Sequence, residues 1–109
     1  MDVLLTQEAE EELAGLPVGE QRSMQAAFEK LEQYGDRLPF PHSSKVVDRN
    51  LRELRPRAGR SPWRAFYRRI GDIIMVGAIG PEAKVDPQGF RRLTSLAEGR
   101  LDHPKAEGK

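Results

Sequence analysis

Two runs with strand character, Trp63 to Ile70 and Ile73 to Ile79, are separated only by Gly71-Asp72. A two-residue link of this kind fits a tight hairpin, so the two runs are expected to pair antiparallel. The second run is apolar at nearly every position, as a central strand covered on both faces would be. A third run, Leu51 to Arg55, precedes them across Pro56 to Pro62, a turn segment rich in Gly, Ser and Pro. A three-strand antiparallel meander is the expected centre of the fold.

Helical signals flank this meander. Val3 to Leu5 is a short apolar run that suits a first or edge strand, and Thr6 is placed to cap a helix starting at Gln7. Gln7 to Leu16 carries Glu8, Glu10, Glu11 and Glu12 early, where the positive end of a helix favours acids. Ala9, Leu13 and Leu16 give it one apolar stripe, and Gly15 and Pro17 break it. From about Val18 to Tyr34, the residues Met24, Ala27, Phe28, Leu31 and Tyr34 recur at three- and four-residue steps, the mark of one buried face. Gly35 supplies a stop. Residues 36–50 hold Pro39, Pro41 and two serines without periodicity, and read as a connecting loop. Asp86-Pro87 is a cap and first helical residue, and Phe90, Leu93, Leu96 and Ala97 define a last helix ending near Gly99.

The order predicts an α+β domain: a twisted antiparallel sheet, two N-terminal helices packed on one face, and a C-terminal helix. With the helices on one face, the other is expected to stay free for a partner. Residues 1–100 form one domain in this reading, and 101–109 a flexible tail. The longest apolar run is too short to cross a bilayer, and the start MDVLLTQEAEEEL lacks the features of a secretory signal. A cytoplasmic location with no membrane partner is expected.

Chemistry points to the meander. Seven arginines fall between Leu51 and Arg69, with Glu53 the one acid among them. Residues 1–50 carry 10 acids and 5 bases, a balance of −5, whereas residues 51–109 carry 7 acids and 13 bases, a balance of +6. Such asymmetry suggests that one part of the surface meets an anion. Guanidinium groups are planar, forked and permanently charged, and they match phosphate oxygens in pairs. No cysteine is present, there is no Gly-rich phosphate loop, and no metal-ligand spacing occurs, so neither cofactor nor metal is expected. His42 and His103 lie in a Pro/Ser loop and near the carboxyl end, as surface residues do.

What remains is Arg, Lys and Tyr chemistry. RNA cleaves itself when its 2′-hydroxyl attacks the adjacent phosphate. A protein promotes this by aligning the attack, stabilising charge on the phosphorane and assisting the departing 5′-oxygen. Arg64 and Arg55, on adjacent strands, are the natural phosphate clamp; the alternative is pairing with Glu53 or a helix carboxylate. Tyr67 faces either the groove or the helices, and Trp63 either stacks on a base or caps the core. Lys84, before the last helix, either approaches the groove or is solvated. Arg57 and Arg60 belong to the turn, and Arg52 and Arg68, with Arg69, supply general attraction or salt bridges.

The segment LRELRPRAGRSPWRAFYRRIGDIIMVGAIGPEAKVDPQGF resembles the phage-derived Gp49-like, HigB-like proteins of the RelE/ParE toxin superfamily. The resemblance rests on Leu51-Arg52-Glu53-Leu54-Arg55, Trp63-Arg64-Ala65-Phe66-Tyr67, the apolar run from Ile73 and Asp86-Pro87. Element order matches over residues 3–98, the specific motif over 51–90. It implies a RelE-like fold and the toxin of a type II toxin–antitoxin pair, cleaving messenger RNA in the ribosomal A site and held inactive by a HigA-like helix-turn-helix antitoxin. In such toxins Arg64 matches the arginine that contacts the scissile phosphate, and Arg55 the arginine closing the preceding strand. Relatives often carry Lys-Lys where this chain reads Gly80-Pro81-Glu82-Ala83-Lys84, leaving Lys84 alone. The same superfamily offers two alternatives: a ParE-like gyrase inhibitor that cleaves nothing, and a degenerate phage-derived protein retaining only antitoxin binding.

Overall fold

The computed structural model describes residues 1–103. The elements are β1 (Asp2–Leu5), α1 (Gln7–Ala14), α2 (Val18–Tyr34), β2 (Ser43–Lys45), β3 (Arg52–Leu54), β4 (Trp63–Ile70), β5 (Ile73–Pro81) and α3 (Pro87–Asp102). The five strands form one sheet in the order β1-β5-β4-β3-β2. The chain leaves β1, crosses one face as α1 and α2, reaches the far edge at β2, and returns strand by strand to β5. The expected meander is present, with β3, β4 and β5 antiparallel.

The local signals act as their chemistry requires. The Thr6 Oγ1 accepts from the Ala9 N–H at 3.1 Å and caps α1. Asp86 does the same for the Gly89 N–H at 2.9 Å, ahead of Pro87. Met24, Ala27, Phe28 and Leu31 are the buried stripe of α2, and Gly35 closes it with φ 56°. Tyr34 is 44% exposed and belongs to the solvent face, against expectation.

Three expectations about the sheet need correction. First, the sheet is mixed, because β1 runs parallel to β5, from Asp2 opposite Ile73 to Leu5 opposite Val76. A strand joined by a helical crossover is free to lie parallel, whereas a hairpin-linked strand is not. Second, the supposed loop 36–50 contains β2, which pairs with β3 from Ser43 opposite Leu54 to Lys45 opposite Arg52. Three polar residues on an edge carry no apolar alternation, so nothing in their own sequence announces the strand.

Third, the face opposite α1 and α2 is not free. Side chains alternate across the strands into two cores. Leu54, Ala65, Tyr67, Ile74, Val76 and Ile79 pack with α1 and α2. Phe66 and Ala78 point the other way and pack with Leu93, Ala97 and Leu101 of α3, together with Val46 and Leu51. The Phe66 and Phe90 rings meet edge to face at 5.4 Å. α3 extends to Asp102, and its Leu101 is buried, so 101 and 102 belong to the folded unit. His103 follows as the cap of α3, its N–H donating to the Gly99 carbonyl at 3.0 Å, and the rest of the expected tail, residues 104–109, lies outside the described residues.

Two further contacts fix α3. Its Glu98 accepts from the Asn50 N–H at 3.0 Å and from Arg49 at 2.7 Å. Together these hold its carboxyl below the usual carboxylate range, the Asn50 N–H more than Arg49. That contribution is in place at neutral pH and is lost as pH falls through the lowered value. Beyond the end of β1, Glu12 of α1 accepts from the Ile79 N–H at 2.9 Å and pairs with Arg100 of α3 at 3.1 Å. No described helix is long and apolar enough to cross a membrane.

The register of β4 and β5 shifts between Phe66 and Tyr67, so Gly77 is extra and faces α3. A Cβ at Gly77 would lie 2.9 Å from the Ala97 carbonyl oxygen. Gly77→Ala is therefore expected to lower stability by about 2 kcal/mol through overpacking, measured by urea denaturation. An unchanged midpoint would mean that α3 does not rest on this glycine.

Candidate functional site

The β3 and β4 strands bring Glu53 and Arg64 onto the α3 face of the sheet, beside the turn that follows β5. Arg64 is 2% exposed. Its Nη1 donates to the carbonyls of Ser61 at 2.6 Å and Trp63 at 2.9 Å. Its Nη2 donates to the Gly59 carbonyl at 3.3 Å and to the Glu82 carboxylate. The Nε lies 3.4 Å from Glu53 Oε1. Burial lowers the Arg64 pKa, Arg55 lowers it further, and Glu82 and Glu53 oppose both.

Arg55, expected on the strand, is the residue just after β3 and approaches the same carboxylate from there. Its Nη1 is 3.5 Å from Glu53 Oε2, its Nε donates to the Pro41 carbonyl at 2.9 Å, and its guanidinium lies 5.2 Å from the centre of the Phe40 ring. Ser44 donates to Glu53 at 3.3 Å. Two guanidiniums and two carboxylates thus form a locally neutral cage. The cage also shapes the backbone. Arg57, Ala58 and Gly59 all have positive φ, at 54°, 55° and 90°, a run that costs about 1–2 kcal/mol for each residue with a side chain. Arg64 donates to the carbonyl of Gly59 on this run and to that of Ser61 just beyond it, and the Arg55 guanidinium lies where a Gly59 side chain would stand.

The other predicted residues disperse. Tyr67 is 4% exposed on the opposite face, in the α1–α2 core, with its hydroxyl 2.6 Å from Ser43 Oγ. Arg52 donates to the same Ser43 Oγ at 3.0 Å. Of the two orientations open to Tyr67, the structure takes the one toward the helices, and Tyr67 does not meet Arg64. Trp63 is partly buried against the same core. Arg57 pairs with Glu20 at 3.0 Å, Arg60 donates to the Arg57 carbonyl, and Arg68 pairs with Asp102 at 2.7 Å. Lys84 is exposed on the turn after β5, two residues beyond Glu82.

The family described as phage-derived protein Gp49-like matches residues 11–77, more than half of the chain. The protein belongs to the Gp49-like family. Its fold is similar to that of a mutant of the E. coli toxin RelE in the free state, with a TM-score of 0.65 at 13% identity over 92% of this chain and 96% of that one. The RelE-like architecture is thereby shown. No curated protein sequence matches the chain.

Within this Gp49-like scaffold, sequence reasoning set Arg55 and Arg64 together as a phosphate clamp with Glu53 as the alternative partner, and the structure has both arginines facing Glu53. It missed Glu82, Ser44 and the Glu20 that receives both Arg57 and Ser61. Glu82 had one available signal: it is the first acid after β5, in the loop where a positive charge was sought. Arg64→Ala would take the guanidinium donor from Glu82 and from the carbonyls of Gly59, Ser61 and Trp63, and the ion-pair partner at 3.4 Å from Glu53. Stability should fall by about 3 kcal/mol, measured by chemical denaturation, and a loss below about 1 kcal/mol would show that the cage does not depend on this guanidinium.

Proposed function

We propose that this Gp49-like protein is the toxin of a type II toxin–antitoxin pair. In this reading it acts in the cytoplasm as a ribosome-dependent, metal-independent messenger RNA endoribonuclease, held inactive by a HigA-like helix-turn-helix antitoxin. The observation that carries the proposal is the approach of Arg55 and Arg64 to one carboxylate, at 3.5 and 3.4 Å. A place where two guanidiniums face one oxyanion is suited to a phosphate, whose oxygens ask for the same donors.

In the proposed reaction, the 2′-hydroxyl of the message releases its proton to water as its oxygen bonds phosphorus, the P–O5′ bond breaks to leave a 2′,3′-cyclic phosphate, and the 5′-oxygen departs with a proton. Arg55 and Arg64 stabilise the charge gathering on the phosphorane. Lys84, exposed on the neighbouring turn, supplies the proton to the departing oxygen. Tyr67 acts at a distance, holding Ser43 and through it Arg52. Arg52, Arg57 and Arg60 attract the RNA backbone from exposed positions, with Arg68 and Trp63 at the margin of that surface. Phosphate reaches Arg64 only as Glu82 gives way.

The burial of Arg64 favours a second reading, in which the protein keeps the fold and antitoxin binding but does not cut. Induced expression of wild type, Arg55→Ala and Lys84→Ala, with mapping of messenger 5′ ends, separates the readings. Wild type should arrest growth and create new ends on translated messages, and each variant should reduce them roughly 100-fold at equal soluble protein. Arrest without new ends overturns the nuclease reading, and cleaved DNA–gyrase complexes would then identify a ParE-like inhibitor. Absence of arrest would leave antitoxin binding as the remaining activity.

A further inference from the structure

A groove of about 390 Å³ opens on the α2 side of the sheet and meets the Arg64 cage at Arg55. One wall is α2, where Arg22, Ala26 and Lys30 follow at four-residue steps and so share one face. Ala26 ends at Cβ, so the helix surface recedes between the two cations. Leu38, Leu54 and Pro56 make the floor apolar, and Arg55, Arg57 and His42 stand around it. Every titratable side chain on this lining is basic. Arg55 and Arg57 have acidic partners in Glu53 and Glu20, but Arg22 and Lys30 have none among the described residues and are exposed.

We infer that this groove docks an acidic amphipathic helix of a partner protein. The inference rests on the toxin–antitoxin reading only in taking that partner to be the antitoxin. Charge sets the first requirement. Arg22 and Lys30 lie eight residues apart on one helix, about 12 Å along its axis, so a partner helix with carboxylates two turns apart reaches both. Shape sets the second. The apolar floor between the cations takes an aliphatic side chain from the same helix face, in the helix-in-groove manner. RNA fits less well. Its phosphates would answer the cations, but its bases stack on aromatic rings, and no Phe, Tyr or Trp lines the groove.

The test follows backbone amide signals of the full chain by NMR during titration with a synthetic helical peptide carrying leucines on one face and flanking glutamates. The expected shifts cluster at residues 22–30 and 54–57. Arg22→Glu combined with Lys30→Glu should weaken binding roughly tenfold without changing thermal stability, since both side chains are exposed. A peptide with the leucines replaced by serine, at the same charge, should weaken similarly, because the apolar floor is then unfilled. Shifts confined to another surface, equal binding of the serine peptide, or tighter occupation of the groove by a short oligouridine would each overturn the inference. Messenger cleavage plays no part in this readout, so failure here and failure of the nuclease reading are distinguishable.

Discussion

The antiparallel ladder between β4 and β5 is the constraint on which the other elements depend. It runs from Trp63 opposite Pro81 to Ile70 opposite Ile73 around a two-residue turn. Because β5 also receives β1 and β4 also receives β3, every layer of the molecule is built on this pair. The register shift at Phe66/Tyr67 adjusts the ladder for the two cores. It lets Tyr67 face α1 and α2 while placing Gly77 and Ala78 together under α3. Small residues there let the helix approach, and the aromatic ring of Phe66 then fills the space beside Phe90. A sheet covered on both faces buries more apolar surface than a one-sided sheet of the same length, which matters in a chain this short.

The same ladder accounts for the state of Arg64. Arg64 lies on a central strand, 2% exposed, and an unpaired guanidinium there would be costly. The chain answers with three carbonyls and two carboxylates. Replacing water in this way makes Arg64 a tie between β4, the left-handed turn at 57–59 and the loop after β5. A charge so engaged differs from the solvent-exposed charge of Arg52 or Arg60: it is aligned, and it is already matched by Glu82 and Glu53. Glu82 is the more exposed of its two acidic partners, with 22% of the side chain accessible against 13% for Glu53. The loop carboxylate is therefore the more open of the two to solvent.

What was legible in the sequence was local. The Gly71-Asp72 hairpin, the stripe of α2 and the Asp86-Pro87 start of α3 are each encoded within a few neighbouring residues, and all three are in the structure. The parallel partner of β1, the face chosen by α3 and the strand at Ser43–Lys45 are decided by residues far away in sequence. β2 exists because β3 offers it a ladder, with Ser43 tied to Tyr67 across the sheet. The site divides in the same manner. Arginine type and strand position were readable, and so was the adjacency of Arg55 and Arg64. The burial of Arg64 was not, because its guanidinium is enclosed by carbonyls of residues 59–63 and by Glu82 beyond β5, which only the folded turn and loop bring to it.

Charge asymmetry between the two halves of the chain takes on a different meaning once the pairs are known. Glu12, Glu20 and Asp36 of the acidic half pair with Arg100, Arg57 and Arg69 of the basic half. Part of the imbalance is thus complementarity within the fold rather than the footprint of an external anion. Exposed pairs of this kind contribute about 0–1 kcal/mol each, so their larger effect is on which cations remain free to attract a partner. Most arginines of the 51–69 cluster already face a carboxylate, whereas Arg22 and Lys30, in the acidic half, do not. The density of arginines along the sequence therefore overstates the free positive charge on the meander and understates it on α2. A surface with unpaired cations around an apolar floor selects differently from a row of guanidiniums. The first rewards an anion that brings hydrocarbon with it, and the second rewards charge alone.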